Sequence, residues 1–295
     1  MMPAATLIEV SSGVEREPLR QRTMPGVLDD GFSLFKSEPR VVVTVTAVLA
    51  LPLTLLAIGL QRQYLGDDAL AGIVNAFNQE PARVDGRRVS DNTVTALRIL
   101  VIALSSLKVT LVAAALGPMV LARHRGFSLS AGELLLRVVK KLPFVLIAWV
   151  SVKVLELVGL IGIGLGAIAA MVFCSLTIPA MVIGELGPFA AIKTSFVAVG
   201  RGFGRVIGTL ALLLIVELLV GLALTSLPSV LSSWLGFTGG VWLVAVSTVM
   251  ADLLLVPFVA ASTTALYLDL LVRQSGLDLD LQLEQLKAQQ RDISR

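Results

Sequence analysis

The stretch VWLVAVSTVMADLLLVPFVAASTTALYLDLL, residues 241–271, decides the fold. A helix rises 1.5 Å per residue, so about twenty apolar residues cross the hydrocarbon of a bilayer, and this run exceeds that. Asp252 nevertheless lies inside it. A charge near the bilayer centre costs ~2.5–3.5 kcal/mol even on the lenient insertion scale, so such a group is turned toward another protein group or toward water. Five more segments reach spanning length: 41–60, about 94–122, 143–163, about 166–183 and 206–227. Lys108 falls in the second, Lys153 and Glu156 in the third, and Glu217 in the fifth.

Counted inward from the span boundaries, Lys108, Lys153, Glu217 and Asp252 are about ten to twelve residues deep, near the midplane. Glu156 is one turn from Lys153, toward the outer side. Two cations and three anions at similar depth suit a mutually paired network. Two readings of that network stay open. It is a pathway (a proton relay, an ion path or a polar substrate site), or a set of ties that pair across helices and fix the register of the bundle. Lys153 and Glu156 can also satisfy each other at i,i+3.

The composition agrees with the spans. The chain has 295 residues, 56% hydrophobic and 15% charged, with a mean hydropathy of +0.87. Soluble domains carry about 25% charged residues. The expectation is an all-α, polytopic membrane bundle of six transmembrane helices. No apolar-depleted stretch is long enough for a separate globular domain, so residues 28–273 form one membrane domain between tails 1–27 and 274–295. Glu9, Glu15, Arg16, Glu17, Arg20 and Arg22 precede any long apolar run, unlike a cleavable signal peptide, so the first span serves as the insertion signal.

The chemistry that the chain lacks narrows the function. One cysteine, Cys174, excludes an intramolecular disulfide and a cysteine metal cage, and one histidine, His124, excludes a multi-histidine site. No His-Glu-x-x-His, Gly-x-Ser-x-Gly or paired intramembrane aspartate motif is present. Gly200-Arg-Gly-Phe-Gly lacks the Gly-Lys-Ser/Thr ending of a phosphate loop. The chain is expected to be no enzyme and to hold no metal or cofactor. Its basic residues are spread among loops that face lipid headgroups, so nucleic acid is not expected as a partner.

Orientation follows the Lys/Arg bias. Arg16, Arg20, Arg22, Lys36 and Arg40 precede span one; Arg123, Arg125, Arg137, Lys140 and Lys141 follow span two; Lys193, Arg201 and Arg205 follow span four; Arg273 closes span six. Both termini are expected in the cytoplasm, in a bacterial plasma membrane. Tyr64, Trp234 and Trp242 mark the outer interface. The long outer loop, residues 61–92, suggests one short helix around Ala69, Ile73 and Phe77.

A weak repeat accompanies the odd-numbered spans, each preceded by a short segment of amphipathic helical spacing. These are residues 28–36, residues 133–141 opened by Ser130 and Glu133 in capping-box spacing, and the stripe Phe189, Ile192, Phe196 and Val199. Arg137, Lys140, Lys141, Lys193, Arg201 and Arg205 form the membrane-surface basic set, which grips anionic lipid or simply anchors the helices. Gly162, Gly164 and Gly166 read as a tight hairpin between spans three and four. The four-residue spacings Gly200, Gly204, Gly208 and Gly162, Gly166 read as helix packing. Pro52, Pro118, Pro179 and Pro257 are candidate kinks.

Four motifs carry a resemblance: VLDDGFSLFKSEPR at 27–40, GFSLSAGE at 126–133, GELGPFAAIKTS at 184–195 and YLDLLVRQSGLDL at 267–279. In their order the chain resembles the bacterial, actinobacterial-type six-span proteins of the glycerophosphoryl diester phosphodiesterase membrane-domain family. It has no counterpart of the catalytic domain fused to some of them. The resemblance implies a plasma-membrane accessory to envelope or lipid metabolism and carries over no catalytic residues. Two functions are therefore expected in order. The first is a non-enzymatic accessory or scaffold in cell-envelope or lipid-linked processes, with the bilayer and a membrane protein or a second copy as partners. The second is a small transporter or channel using the midplane charges.

Overall fold

The computed structural model describes residues 23–65, 83–84, 87–88, 91–124, 128–161, 164–232 and 236–275. In chain order its elements are α1 (Met24–Ser37), α2 (Pro39–Leu65), β1 (Arg83–Val84), β2 (Arg87–Arg88), α3 (Asp91–His124), α4 (Ala131–Ile161), α5 (Leu165–Cys174), α6 (Thr177–Ile183), α7 (Pro188–Arg201), α8 (Phe203–Gly221), a π-helical segment Leu222–Ser226, α9 (Leu227–Ser232) and α10 (Gly236–Ser275). β1 and β2 are a two-residue antiparallel ladder with Arg83 opposite Arg88. Everything else that is regular among the described residues is helix. The fold is an all-α bundle.

Six helical segments are long and apolar enough to cross a membrane: Pro39–Leu60, Asn92–Arg123, Ala131–Ile161, Leu165–Ile183, Phe203–Ser226 and Trp242–Arg273. This is the make-up of a multi-pass membrane protein. The expected spans match these within a few residues, except that the third helix begins at Ala131, twelve residues or more than three turns before the expected start at 143, and so takes in the segment 133–141. That segment is no separate helix. It forms the first turns of α4, which continues through Pro143. The proline cannot donate to the carbonyl of Val139, a residue whose side chain is exposed. The capping box forms as the spacing implies, with the Ser130 backbone N–H donating to Glu133 at 2.9 Å and the Glu133 N–H donating to the Ser130 hydroxyl at 3.3 Å.

The bundle is organised around α10 and α3. Helices α2, α3 and α10 pack on one another, α3 reaches on to α4 and α6, and α1 lies along α10 and touches α8. Val42 and Val45 of α2, Val112 and Leu116 of α3, Val145 of α4 and Leu266 and Leu270 of α10 are fully or almost fully buried. The outer surface is as apolar as the core: Val150, Val154, Leu157, Leu214, Leu218 and Val246 are all exposed. In water that would be an aggregating surface. Against lipid tails it costs nothing.

Spans three and four form the expected hairpin, and the glycine at its turn is Gly164, with φ 78°. The close approach, however, is between Gly159 and Gly166, since a Cβ on Gly166 would sit 2.5 Å from the Gly159 carbonyl oxygen. Gly162 lies outside the described residues. Gly200 and Gly204 have nothing within 4 Å of a built Cβ, so they pack against no neighbour, while Gly208 lies against Met24 of α1. Span four is not one helix. It breaks at Ser175 and Leu176 between α5 and α6, four residues before Pro179, whose missing N–H leaves the Ser175 carbonyl without its helical donor. The Ser195 hydroxyl of α7 donates to the neighbouring Phe173 carbonyl at 2.6 Å and braces the break. In span five the helix widens to the π form just before Pro228.

The inward face of helix α7 keeps only Val199 of the expected stripe as a buried residue. Its buried residues are Pro188, Ala191, Ser195, Ala198 and Val199, while Phe189 and Phe196 are exposed. Small side chains let α7 press on α5 and α6, and the large rings point outward. The short helix expected around Ala69 and Phe77, and residues 1–22 and 276–295 of the two tails, lie outside the described residues.

Candidate functional site

Three helices meet at Asp252. Its Oδ2 accepts from Lys108 Nζ of α3 and from Thr54 Oγ1 of α2, each at 2.5 Å. The Lys108 and Asp252 side chains are only 12% and 18% exposed, and Thr54 is buried. Spans one, two and six are thus joined by one carboxylate. Trp242, near the start of the sixth span, is exposed. Asp252 is ten residues further along α10, or about 15 Å along its axis. Two residues before Lys108, the Ser106 hydroxyl accepts from Trp149 Nε1 at 2.9 Å, linking span two to span three beside the ion pair.

Lys153 and Glu156 pair within α4 at 2.7 Å, with side chains 32% and 25% exposed. The helix itself supplies this contact, since residues three apart are neighbours on one face. Glu217 stands apart. It is half-buried on α8 and has neither a hydrogen-bond nor an ion-pair partner among the described residues. The five mid-span groups therefore do not form a single network. They divide into an inter-helical tie, a local pair and a lone carboxylate.

The membrane-surface set separates in a similar way. Arg137, Lys140, Lys193 and Arg201 are exposed and Lys141 is half-buried. Arg205 is drawn inward instead. Its Nε donates to Asp269 Oδ2 at 2.6 Å, and Arg273 Nε donates to the same oxygen at 2.9 Å. Asp269, 1% exposed, was not among the residues singled out from the sequence, nor was Thr54. The signal for Asp269 was present: a carboxylate inside an apolar run with an arginine four residues on, which is salt-bridge spacing on a helix. A hydroxyl such as Thr54 leaves no comparable mark among so many apolar neighbours.

The same end of the bundle holds α1 in place. Arg123 Nη1 at the end of α3 donates to Ser33 Oγ at 2.9 Å and to Ser37 Oγ at 3.4 Å. Gly31 lies directly against Ser262 of α10, where a Cβ would collide with the serine hydroxyl. Burial pushes the Glu38 carboxyl up from its ordinary range, against the opposing pull of the Arg123 charge.

Among the described residues no group of three or more His, Cys, Asp or Glu side chains is placed to hold a metal ion, and Cys174 is a buried free thiol. What the arrangement does chemically is neutralise and hold. Fold and site together define a multi-pass helical membrane protein with six candidate spans, three of them stapled by a Thr–Asp–Lys tie. No family model matches the chain, and no curated protein and no solved structure matches it either.

Proposed function

We propose that the chain is a non-enzymatic membrane accessory, a rigid six-span scaffold that serves cell-envelope or lipid-linked processes through partners. The observation that supports this is the pairing of the mid-span charges inside the protein, Lys108 with Asp252 and Lys153 with Glu156. A carboxylate that binds a lysine and a threonine at once is occupied, and its pairing serves to fix three helices in register. The resemblance to the glycerophosphoryl diester phosphodiesterase membrane-domain proteins points the same way, as does a Lys/Arg bias that would put both termini in the cytoplasm of a bacterial cell.

One observation favours a second reading, a small transporter or channel. Glu217 is a mid-span carboxylate without a partner among the described residues, and the helix turns to the π form five residues further on, a feature frequent at functional sites. Capture of the tagged protein from its native membrane in mild detergent, with mass spectrometry of what stays bound, separates the two. The accessory reading expects a stoichiometric protein partner. Recovery of the chain alone or only with copies of itself would count against it.

A further inference from the structure

Of the five ionisable groups singled out inside the spans, Glu217 alone has no partner among the described residues. It lies fourteen residues from Phe203 and nine from Ser226, the two ends of the fifth candidate span. Nine residues of helix rise about 13 Å, farther than a glutamate side chain extends. The carboxylate therefore does not escape past the end of its span, as a long lysine or arginine near a helix end does.

Its neighbours place it on the border of the outer face of α8. Leu213, one turn earlier, is 2% exposed, whereas Leu214 and Leu218 on the other side are 63% and 60% exposed. Gly221, one turn later, has nothing within 4 Å of a built Cβ. The carboxylate thus stands where the inward side of α8 gives way to its outer side, beside a notch that no described residue fills. Span five is also thinly covered by its own bundle. Of an eighteen-residue apolar stretch in it 17% is buried, against 28–33% in spans one, two, four and six.

A carboxylate within the hydrocarbon pairs with an opposite charge, and a glycine notch is where a second helix approaches most closely. Both features fit one occupant, a transmembrane helix that carries a Lys or Arg. A second copy of this chain is a poor source of that charge. Lys108 and Lys153 are already bound to Asp252 and Glu156. Arg98 lies six residues from the end of its span at Asn92, where an arginine extends to the headgroups.

We propose that Glu217 and the open surface at Gly221 dock a transmembrane helix of a different protein through a Lys or Arg in that helix. This names the chemistry of the partner and rests on the accessory reading.

The test uses the full chain in its native membrane, with a photoreactive benzoylphenylalanine in place of the exposed Leu218. Irradiation is expected to give one adduct, with a membrane protein whose crosslinked span carries a Lys or Arg. The same probe in place of the exposed Leu157 of α4 should not give it. Glu217→Gln should lower the adduct yield at least about tenfold, the effect of truncating one side of a buried interfacial charge pair. Reversing the partner's Lys or Arg to Glu should abolish the adduct, and Glu217→Lys in the same cells should restore it. Glu217→Gln should also leave the thermal midpoint of the purified protein unchanged, read by reaction of the buried Cys174 with a thiol-reactive dye. A Glu217→Gln protein that fails to fold would tie Glu217 within its own chain and overturn the proposal. So would an adduct with copies of this chain only, or an adduct undiminished by Glu217→Gln. A stoichiometric partner captured from the membrane without any adduct at position 218 would overturn the docking site and leave the accessory reading standing. Absence of both would overturn the two together.

Discussion

Asp252→Asn should be among the most damaging single changes that leave the shape of the protein intact. The substitution preserves volume but removes the counter-charge of Lys108, whose side chain is 12% exposed, and weakens the bond that Thr54 donates. Breaking a buried pair by removing one partner costs about 3–5 kcal/mol, because the surviving charge stays desolvated. The reverse change, Lys108→Met, strands the carboxylate and should cost about as much. Replacing both, with Lys108→Met and Asp252→Leu, removes the charges together and should return the protein to within about 1 kcal/mol of the parent, or above it. The two sites should therefore be coupled by several kcal/mol, far beyond the about 0.5 kcal/mol within which independent substitutions add. Unfolding in denaturing detergent, read by dye reaction at the buried Cys174, provides the free energies of the cycle. Additive single and double variants would refute the tie. So would an Asp252→Asn protein within about 0.5 kcal/mol of wild type, the range of an inconsequential surface change.

Three further outcomes follow from the packing and the charges. Gly166→Val should abolish recovery of folded protein, since even its Cβ would meet the Gly159 carbonyl oxygen at 2.5 Å; size-exclusion chromatography of the solubilised variant checks this. Gly31→Ala should destabilise by about 1–3 kcal/mol through overpacking against Ser262, with Ser262→Gly restoring part of the loss in the same thiol assay. Glu38 binds its proton more tightly in the folded state than at its ordinary value of 4.5. Its contribution to stability is thus fullest below that pH and is lost as pH rises through the elevated folded value. Glu38→Gln should flatten that part of the stability profile.

How much of this was legible in the sequence follows from how a membrane reads its helices. Length and apolarity set the spans, and Gly164 and Gly166 help set the hairpin, because both depend on local properties of the chain. The place of each charge along its helix was also readable, since rise per residue is constant. Of their partners only the local one was, Glu156 for Lys153 at i,i+3. Partner choice depends on how each helix is rotated about its axis, and a lipid-facing side as apolar as the core hides that rotation. Hence the crossing of Lys108 to Asp252 and the isolation of Glu217 could not be read. The same loss of contrast hid the inward face of α7, where Ala191, Ser195 and Ala198 are buried while Phe189 is exposed. The break at Ser175 carried a signal in Pro179, but prolines are common in membrane helices and Pro52, Pro118 and Pro257 all lie within continuous ones. Arg205, read as a surface cation, proved to be committed to Asp269, a partner sixty-four positions away in the chain.

The most direct test of the central claim, that the mid-span charges hold the bundle together and conduct nothing, is flux across liposomes reconstituted with the purified protein. Proton and monovalent-ion leak should equal that of protein-free liposomes, and neither Glu217→Gln nor Asp252→Asn should alter it. A flux above that background, abolished by Glu217→Gln while the variant remains folded in the membrane, would contradict the account and make the charged spans a pathway.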